Sequence, residues 1–384
     1  MSFFGLFKKK EAPVEAPAEP QKQPFKPFDV SELTHHIKWA ERDLSNEQRM
    51  CEYVFNHNGI PVTHVNSICG VSITRHEYTL DDLKDYAKVK KLESQIKAMF
   101  MTEDATISKD GNIVSIEYPF KSSILCLGDM LVNPAYLDSD RLTVAIGRTT
   151  AGQDVFADIE DLKHILVAGT SGSGKSVFLQ NLLLSVLAKH NDTDIYIIDP
   201  KRVEFSRYRF CDNCHIVTEI SQAQQILTEL VNIMEERYRI LELTGSRDIT
   251  SYNEKGGDMN RIIVMVDELG DLMKVCRKET EPLLVRLAQK SRACGIHLVL
   301  ATQYPTADIV TGAIKQNMPT KVCFAVPTTT ASVVMLGRKG AERLVGKGDM
   351  LYQTEKDISP IRLQAPYADD NDRDHIIYNI HISV

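Results

Sequence analysis

No apolar run in this 384-residue sequence approaches the roughly eighteen residues of a membrane span, so the sequence predicts no transmembrane helix. A secretory signal is also missing. In the opening MSFFGLFKKK the apolar piece is short, and the lysines follow it rather than precede it. Positive charge is not in excess: 45 Lys and Arg stand against 52 Asp and Glu, a net charge of −7. No global basic field therefore recruits nucleic acid or anionic membrane, and such a contact needs a local basic lining. The eight cysteines fall at irregular spacings, which reads as reduced cytosolic thiols and excludes a disulfide framework. What remains is the balance of an ordinary globular protein, 43% apolar and 25% charged. At about 100–200 residues per domain, the length predicts two or three domains.

Composition divides the chain. Residues 11–29 hold five of the fifteen prolines and few large apolar residues, so residues 1–30 read as a disordered, proline-rich tether. At its start, Phe3, Phe4, Leu6 and Phe7 precede Lys8, Lys9 and Lys10, a pattern that suits a weak peripheral membrane or partner anchor in residues 1–10, or simply a frayed terminus. Residues 31–140 read as a small α+β domain, with a helical patch stopped by Gly59 and strand-like GVSITRHEYTL and NIVSIEYPF. From residue 141 to 384 the pattern becomes α/β. The apolar runs 164–168, 194–199, 261–267, 295–302 and 321–326 alternate with helical stretches at 177–190, 222–243 and 281–293. Near-continuous apolar strands joined by crossover helices predict a mostly parallel sheet covered on both faces, with ligands at the carboxyl ends of its strands.

GTSGSGKS at 169–176 fits the Walker A pattern and lies between a strand and a helix, as that chemistry requires. Gly169, Thr170, Ser171, Gly172, Ser173 and Gly174 would wrap a phosphate with backbone N–H groups, helped by the helix N-terminus. Lys175 would reach the β- and γ-phosphates of ATP, and the Ser176 hydroxyl would join Mg²⁺. About ninety residues on, RIIVMVDE ends in Asp267 and Glu268. Asp267 suits a Walker B magnesium role, and Glu268 a general base that polarises the attacking water. The next strand ends in Gln303, placed to sense the γ-phosphate. Arg292 closes the helix 281–293 either as a charge favoured by the helix dipole or as a finger reaching a neighbouring subunit's nucleotide.

These segments resemble the FtsK/SpoIIIE family of ring-shaped DNA translocases within the wider HerA–FtsK class. The likeness includes HILVAGTSGSGKS, IIDPKRVEFSRY, MEERYRILELTGSRDITSYN, IIVMVDELGDLM, RLAQKSRACGIHLVLATQ, VTGAIKQNMPTKV and GAERLVGKGDMLY, in family order from about residue 141 to 355. GVSITRHEYTL and KVKKLESQIKAMF resemble the small domain that precedes the motor. The resemblance implies a RecA-like P-loop ATPase, hexameric, that threads DNA through its ring. It also implies Lys175 and Ser176 as Walker A, Asp267 and Glu268 as Walker B, Gln303 as sensor and Arg292 as the trans arginine. Asp199, Pro200 and Lys201 match a family signature, with no assigned role for Lys201.

The sequence departs from the family where DNA would be gripped. Tyr304 replaces an arginine, and PTTTASVV follows KVCFAV where basic residues are common, with Thr329 and Val333 at those places. Lys315, Lys321, Arg338 and Lys339 are the remaining basic candidates for DNA, or else solvated surface charges. Tyr304 either stacks on a base, which favours single-stranded over duplex DNA, or packs under its loop. CDNCH at 211–215 matches a haem-attachment string, but no second cysteine pair or export signal accompanies it. The expectation is a cytoplasmic, ATP- and Mg²⁺-dependent DNA translocase, hexameric and serving an accessory or mobile-element process. A polypeptide-secretion ATPase and a nucleotide-bound scaffold are the rivals.

Overall fold

A computed structural model of the chain describes residues 28–35, 43–70, 73–102, 104–119, 124–190 and 192–382. The expected anchor in residues 1–10 and most of the tether lie outside the described residues. Phe28 and Val30, placed at the end of that tether by composition, are buried with Leu33 against Leu127 and Met130 in the large core, and Phe28 N–H donates to Ala188 O at 3.0 Å. Among the described residues no helix is long and apolar enough to cross a membrane.

The smaller body is an antiparallel sheet of β1 (Val62–Cys69), β2 (Ile73–Leu80), β3 (Thr106–Asp110) and β4 (Ile113–Pro119), in the order β1-β2-β4-β3. One face is covered by the helices Ser45–His57, Tyr86–Lys91 and Glu93–Met99. Their inward residues Cys51, Phe55, Val89 and Ile96 pack on Tyr78, Val114, Ile116 and Tyr118. Alternation puts those strand residues on one side, as expected for a half-buried sheet.

The larger body has ten strands: β5 (Thr143–Thr149), β6 (Asp154–Asp158), β7 (Ile165–Ala168), β8 (Asp194–Ile198), β9 (Cys214–Val217), β10 (Ile262–Val266), β11 (Ile296–Thr302), β12 (Thr320–Phe324), β13 (Asp349–Gln353) and β14 (Ile361–Gln364). Their order is β6-β5-β14-β13-β12-β7-β11-β10-β8-β9. The pairs from β12 to β9 are parallel, and the flank from β13 to β6 is antiparallel. Each central strand divides its side chains between two cores, which is why its sequence is apolar throughout. Ile263 and Met265 of β10 face Phe178, Leu179 and Leu183 of the helix Lys175–Leu187. Ile262, Val264 and Val266 face Leu227, Leu230 and Met234 of the helix Ile220–Thr244 and Leu272 and Leu284 of the helix Leu269–Lys290.

Two local readings change. The helix read as 281–293 spans Leu269–Lys290, with Pro282 inside it and a non-helical break at Cys276, and Arg292 lies in a separate 3₁₀ turn, Ser291–Cys294. The stretch after β12 that begins PTTTASVV, for which no element was expected, contains the helix Thr329–Leu336, capped by the Thr328 side chain on Ala331 N–H. The two bodies meet at Arg362 of β14. Its guanidinium pairs with buried Asp349 at 2.7 Å and with Glu117 of β4 at 3.3 Å.

Candidate active site

The glycine-rich loop leaves β7 at Ala168 and enters the helix at Lys175. It is pinned on both sides: Gly169 N–H donates to Thr302 O, Thr170 N–H to Ala325 O, and Gly348 N–H to Ser173 O. Two glycines are required sterically. A Cβ at Gly169 would lie 2.6 Å from Phe324 Cβ, and at Gly174, where φ is +112°, 2.6 Å from Gly348 N. The loop's outer side is open, since a Cβ at Gly172 would meet nothing within 4 Å. The buried Ser173 Oγ has no partner, and no side chain caps the helix at Gly174. A cradle of this kind, with uncapped N–H groups, an orphaned hydroxyl, Lys175 and the half-buried Ser176, fits a polyphosphate and its magnesium ion.

Lys175 crosses beneath the loop to the end of β10. Its Nζ donates to Asp267 Oδ1 at 2.9 Å and to Asp267 O at 3.0 Å, and both side chains are only 3% exposed. That burial makes each the necessary counter-charge of the other. Glu268 follows as the N-cap of the helix Leu269–Lys290 and turns towards β11. Its Oε1 accepts from Thr302 Oγ1 at 2.8 Å and Gly270 N–H at 3.2 Å, while Gln303 N–H reaches Oε2 at 3.1 Å. Lys201 Nζ approaches the same Oε2 at 3.4 Å. The parallel order β7-β11-β10-β8 thus gathers Lys175, Asp267, Glu268, Gln303 and Lys201 at neighbouring carboxyl ends. Thr302 and Lys201 are the contacts that motif reasoning left without a role. The IIDPKR signature marks one of them: Asp199 Oδ1 accepts from Lys201 N–H and Arg202 N–H, both at 3.1 Å, and fixes the turn that carries Lys201.

Arg292 is not in this cluster. It precedes β11, whereas Gln303 follows it, and seven strand residues separate the two edges by about 23 Å. There Lys163 first, and Arg292 behind it, hold the Glu355 carboxyl below its ordinary range. At the same edge His164 and His297 are buried; Leu298 N–H donates to His164 Nδ1, and His297 Nδ1 bonds Lys163 O. Burial pushes His164 down to about 3 and His297 to about 4.

The candidate DNA residues are dispersed. Tyr304 is 60% exposed just beyond Gln303, while Pro305 beside it is buried, so the tyrosine ring does not pack under its loop. Lys315 donates to the carbonyls of Val333 and Val334 and is half-buried. Lys321, at the opposite strand end from Tyr304, is also half-buried, and burial lowers the pKa of both lysines. Arg338 donates to Ser359 Oγ and Ile358 O, and Lys339 is exposed. In the CDNCH string, Cys211 and Cys214 are buried and hydrogen-bonded to each other, and His215 instead packs on Tyr196 at 4.7 Å. Among the described residues no group of three His, Cys, Asp or Glu could hold a metal ion.

Residues 129–307 match the model of the FtsK/SpoIIIE family. The chain is 37% identical over 340 residues to the DNA translocase FtsK of Halalkalibacterium halodurans, covering 84% of this chain and 42% of that protein. It is 32% identical over 352 residues to the DNA translocase SftA of Bacillus subtilis, covering 88% and 37%. The chain therefore spans about two fifths of the length of these curated relatives. Among solved structures it is similar to the pCW3 conjugation coupling protein TcpA in its monomer form with ATPγS, at a TM-score of 0.61 and 27% identity, covering 86% of this chain and 99% of that one. It shares the fold of the type VII secretion ATPase EccC of Thermomonospora curvata, at a TM-score of 0.59 and 21% identity over 67% of this chain and 34% of that one.

Proposed function

The chain belongs to the FtsK/SpoIIIE family, and from that premise we propose that it hydrolyses ATP to translocate DNA. The observation that carries the reading is the convergence of Lys175, Asp267 and Glu268 beneath a glycine-rich loop whose close contacts at Gly169 and Gly174 exclude side chains there. In this proposal the loop 169–174 and the helix N-terminus bind the phosphates, and Lys175 exchanges Asp267 for them as counter-charge. Asp267 is thereby released and, with Ser176, would hold Mg²⁺. When bound, that ion neutralises charge on the β- and γ-phosphate oxygens. Glu268 takes a proton from the attacking water, and Gln303 orients it.

Arg292 lies too far from its own Lys175 to act there. We place it opposite a neighbouring subunit's nucleotide, which implies a ring of copies, a homo-hexamer by family likeness. DNA is the proposed substrate because the curated relatives are named DNA translocases; the likeness to a secretion ATPase is one of fold alone. The likeness to a conjugation coupling protein favours a mobile-element role. The test is steady-state ATP hydrolysis with duplex DNA, single-stranded DNA and no DNA. DNA should raise turnover, and Glu268→Gln should abolish it while nucleotide binding persists. Near-normal turnover by Glu268→Gln would refute the assignment.

A further inference from the structure

A carboxylate that serves as a base needs an oxygen lone pair open to water. Both Glu268 oxygens are engaged, and the side chain is only 5% exposed. Three of the donors move only with the backbone: two are backbone N–H groups, and Thr302 Oγ1 belongs to a fully buried strand residue. The fourth differs. Lys201 Nζ sits on a flexible four-carbon stem, is 39% exposed and touches Oε2 at 3.4 Å. Its backbone is held by Asp199, so the ammonium can swing away without moving the turn.

The backbone-held side of this cluster runs directly to the protein surface. Thr302 Oγ1 donates to Glu268 Oε1 and accepts from Tyr304 N–H at 3.2 Å. Gln303 N–H, between them, bonds Glu268 as well. A polymer that displaces exposed Tyr304 therefore moves two of the groups that fix the carboxylate.

We propose that Lys201 is a positioning residue that latches Glu268 against water, and that displacement of the Gln303–Tyr304 backbone by bound DNA opens the latch. The inference rests on the reading of Glu268 as the base for ATP hydrolysis. It makes hydrolysis without DNA an idling state. A single half-exposed ion pair restrains modestly, so its removal should change the rate by about two- to fivefold.

The experiment compares wild type, Lys201→Met and Lys201→Arg by steady-state ATPase with and without duplex DNA. The latch predicts that Lys201→Met raises kcat without DNA about two- to fivefold, leaves KM for ATP unchanged and shrinks the stimulation by DNA. Lys201→Arg, which keeps the charge, should return the low DNA-free rate. A residue with only a structural role would not raise kcat selectively in the absence of DNA. Lys201→Gln carries the same prediction should the methionine variant fail to fold. A fall in kcat under both conditions, or no change in either, overturns the latch while leaving the ATPase reading intact. Absence of hydrolysis by wild type under all conditions overturns the ATPase reading itself.

Discussion

Replacing Lys175 by Met should destabilise the nucleotide-free protein as well as abolish its chemistry. Asp267 is 3% exposed, and Lys175 approaches its carboxylate at 2.9 Å. Loss of the ammonium strands a buried negative charge, and breaking such a pair costs about 3–5 kcal/mol. The unpaired Asp267 O adds to that cost, because the lysine also bonds it at 3.0 Å. For a unit of this size the deficit corresponds to a fall of about 10 °C in Tm. Removing both charges tests the cause. Lys175→Met/Asp267→Leu leaves no orphaned ion and should recover most of the lost stability, although it binds no nucleotide. Urea or thermal unfolding of wild type, both single variants and the double variant, without nucleotide, gives the coupling energy directly. A coupling near zero, or a double variant as unstable as the sum of the singles, would refute the claim that this pair balances the empty loop.

The other expectations concern catalysis, substrate and pH. Arg292→Ala should cut hydrolysis by about 10³–10⁵-fold while ATP binding persists. Mixing it with Glu268→Gln subunits should return partial activity, and a mixture as inactive as either parent would remove Arg292 from the interface. Tyr304→Ala should selectively lose stimulation by single-stranded DNA, since base stacking is worth about 1–3 kcal/mol; unchanged stimulation would exclude stacking. His164 and His297 are held to about 3 and about 4 by burial, below the ordinary histidine value. Only the unfolded chain takes up their protons as pH falls through about 6.5, so stability is full above that value and is lost between it and about pH 4. At pH 5 each should have cost about 2 kcal/mol. Urea unfolding at pH 7 and pH 5 should show this loss, reduced by about half in His297→Gln, and an equal slope in both proteins would contradict it.

The parallel half of the large sheet was legible because strands buried on both faces leave no polar alternation. HILVA, RIIVMVD and GIHLVLAT are β7, β10 and β11 almost to the residue. The antiparallel flank was not legible: β13 and β14 are short, and polar residues such as Asp349, Gln353 and Arg362 bound or interrupt their apolar runs. The helix begins twelve residues before 281, at Leu269, because the break at Cys276 and Pro282 within it interrupt its helical period. At the site, residue types gave the phosphate loop and the two acids, since their chemistry is carried in contiguous motifs. Thr302 and Lys201 were invisible as partners of Glu268, because that contact depends on three strand ends adjoining in space. The long separation of Arg292 from its own Lys175 likewise follows from strand direction, which composition does not encode.

The most direct test of ATP-driven translocation is displacement of a third strand bound to duplex DNA, followed over time with wild type and Glu268→Gln. The account predicts displacement by wild type that requires ATP, and none by Glu268→Gln although it still binds ATP and DNA. Hydrolysis indifferent to DNA, with the third strand left in place, would contradict it.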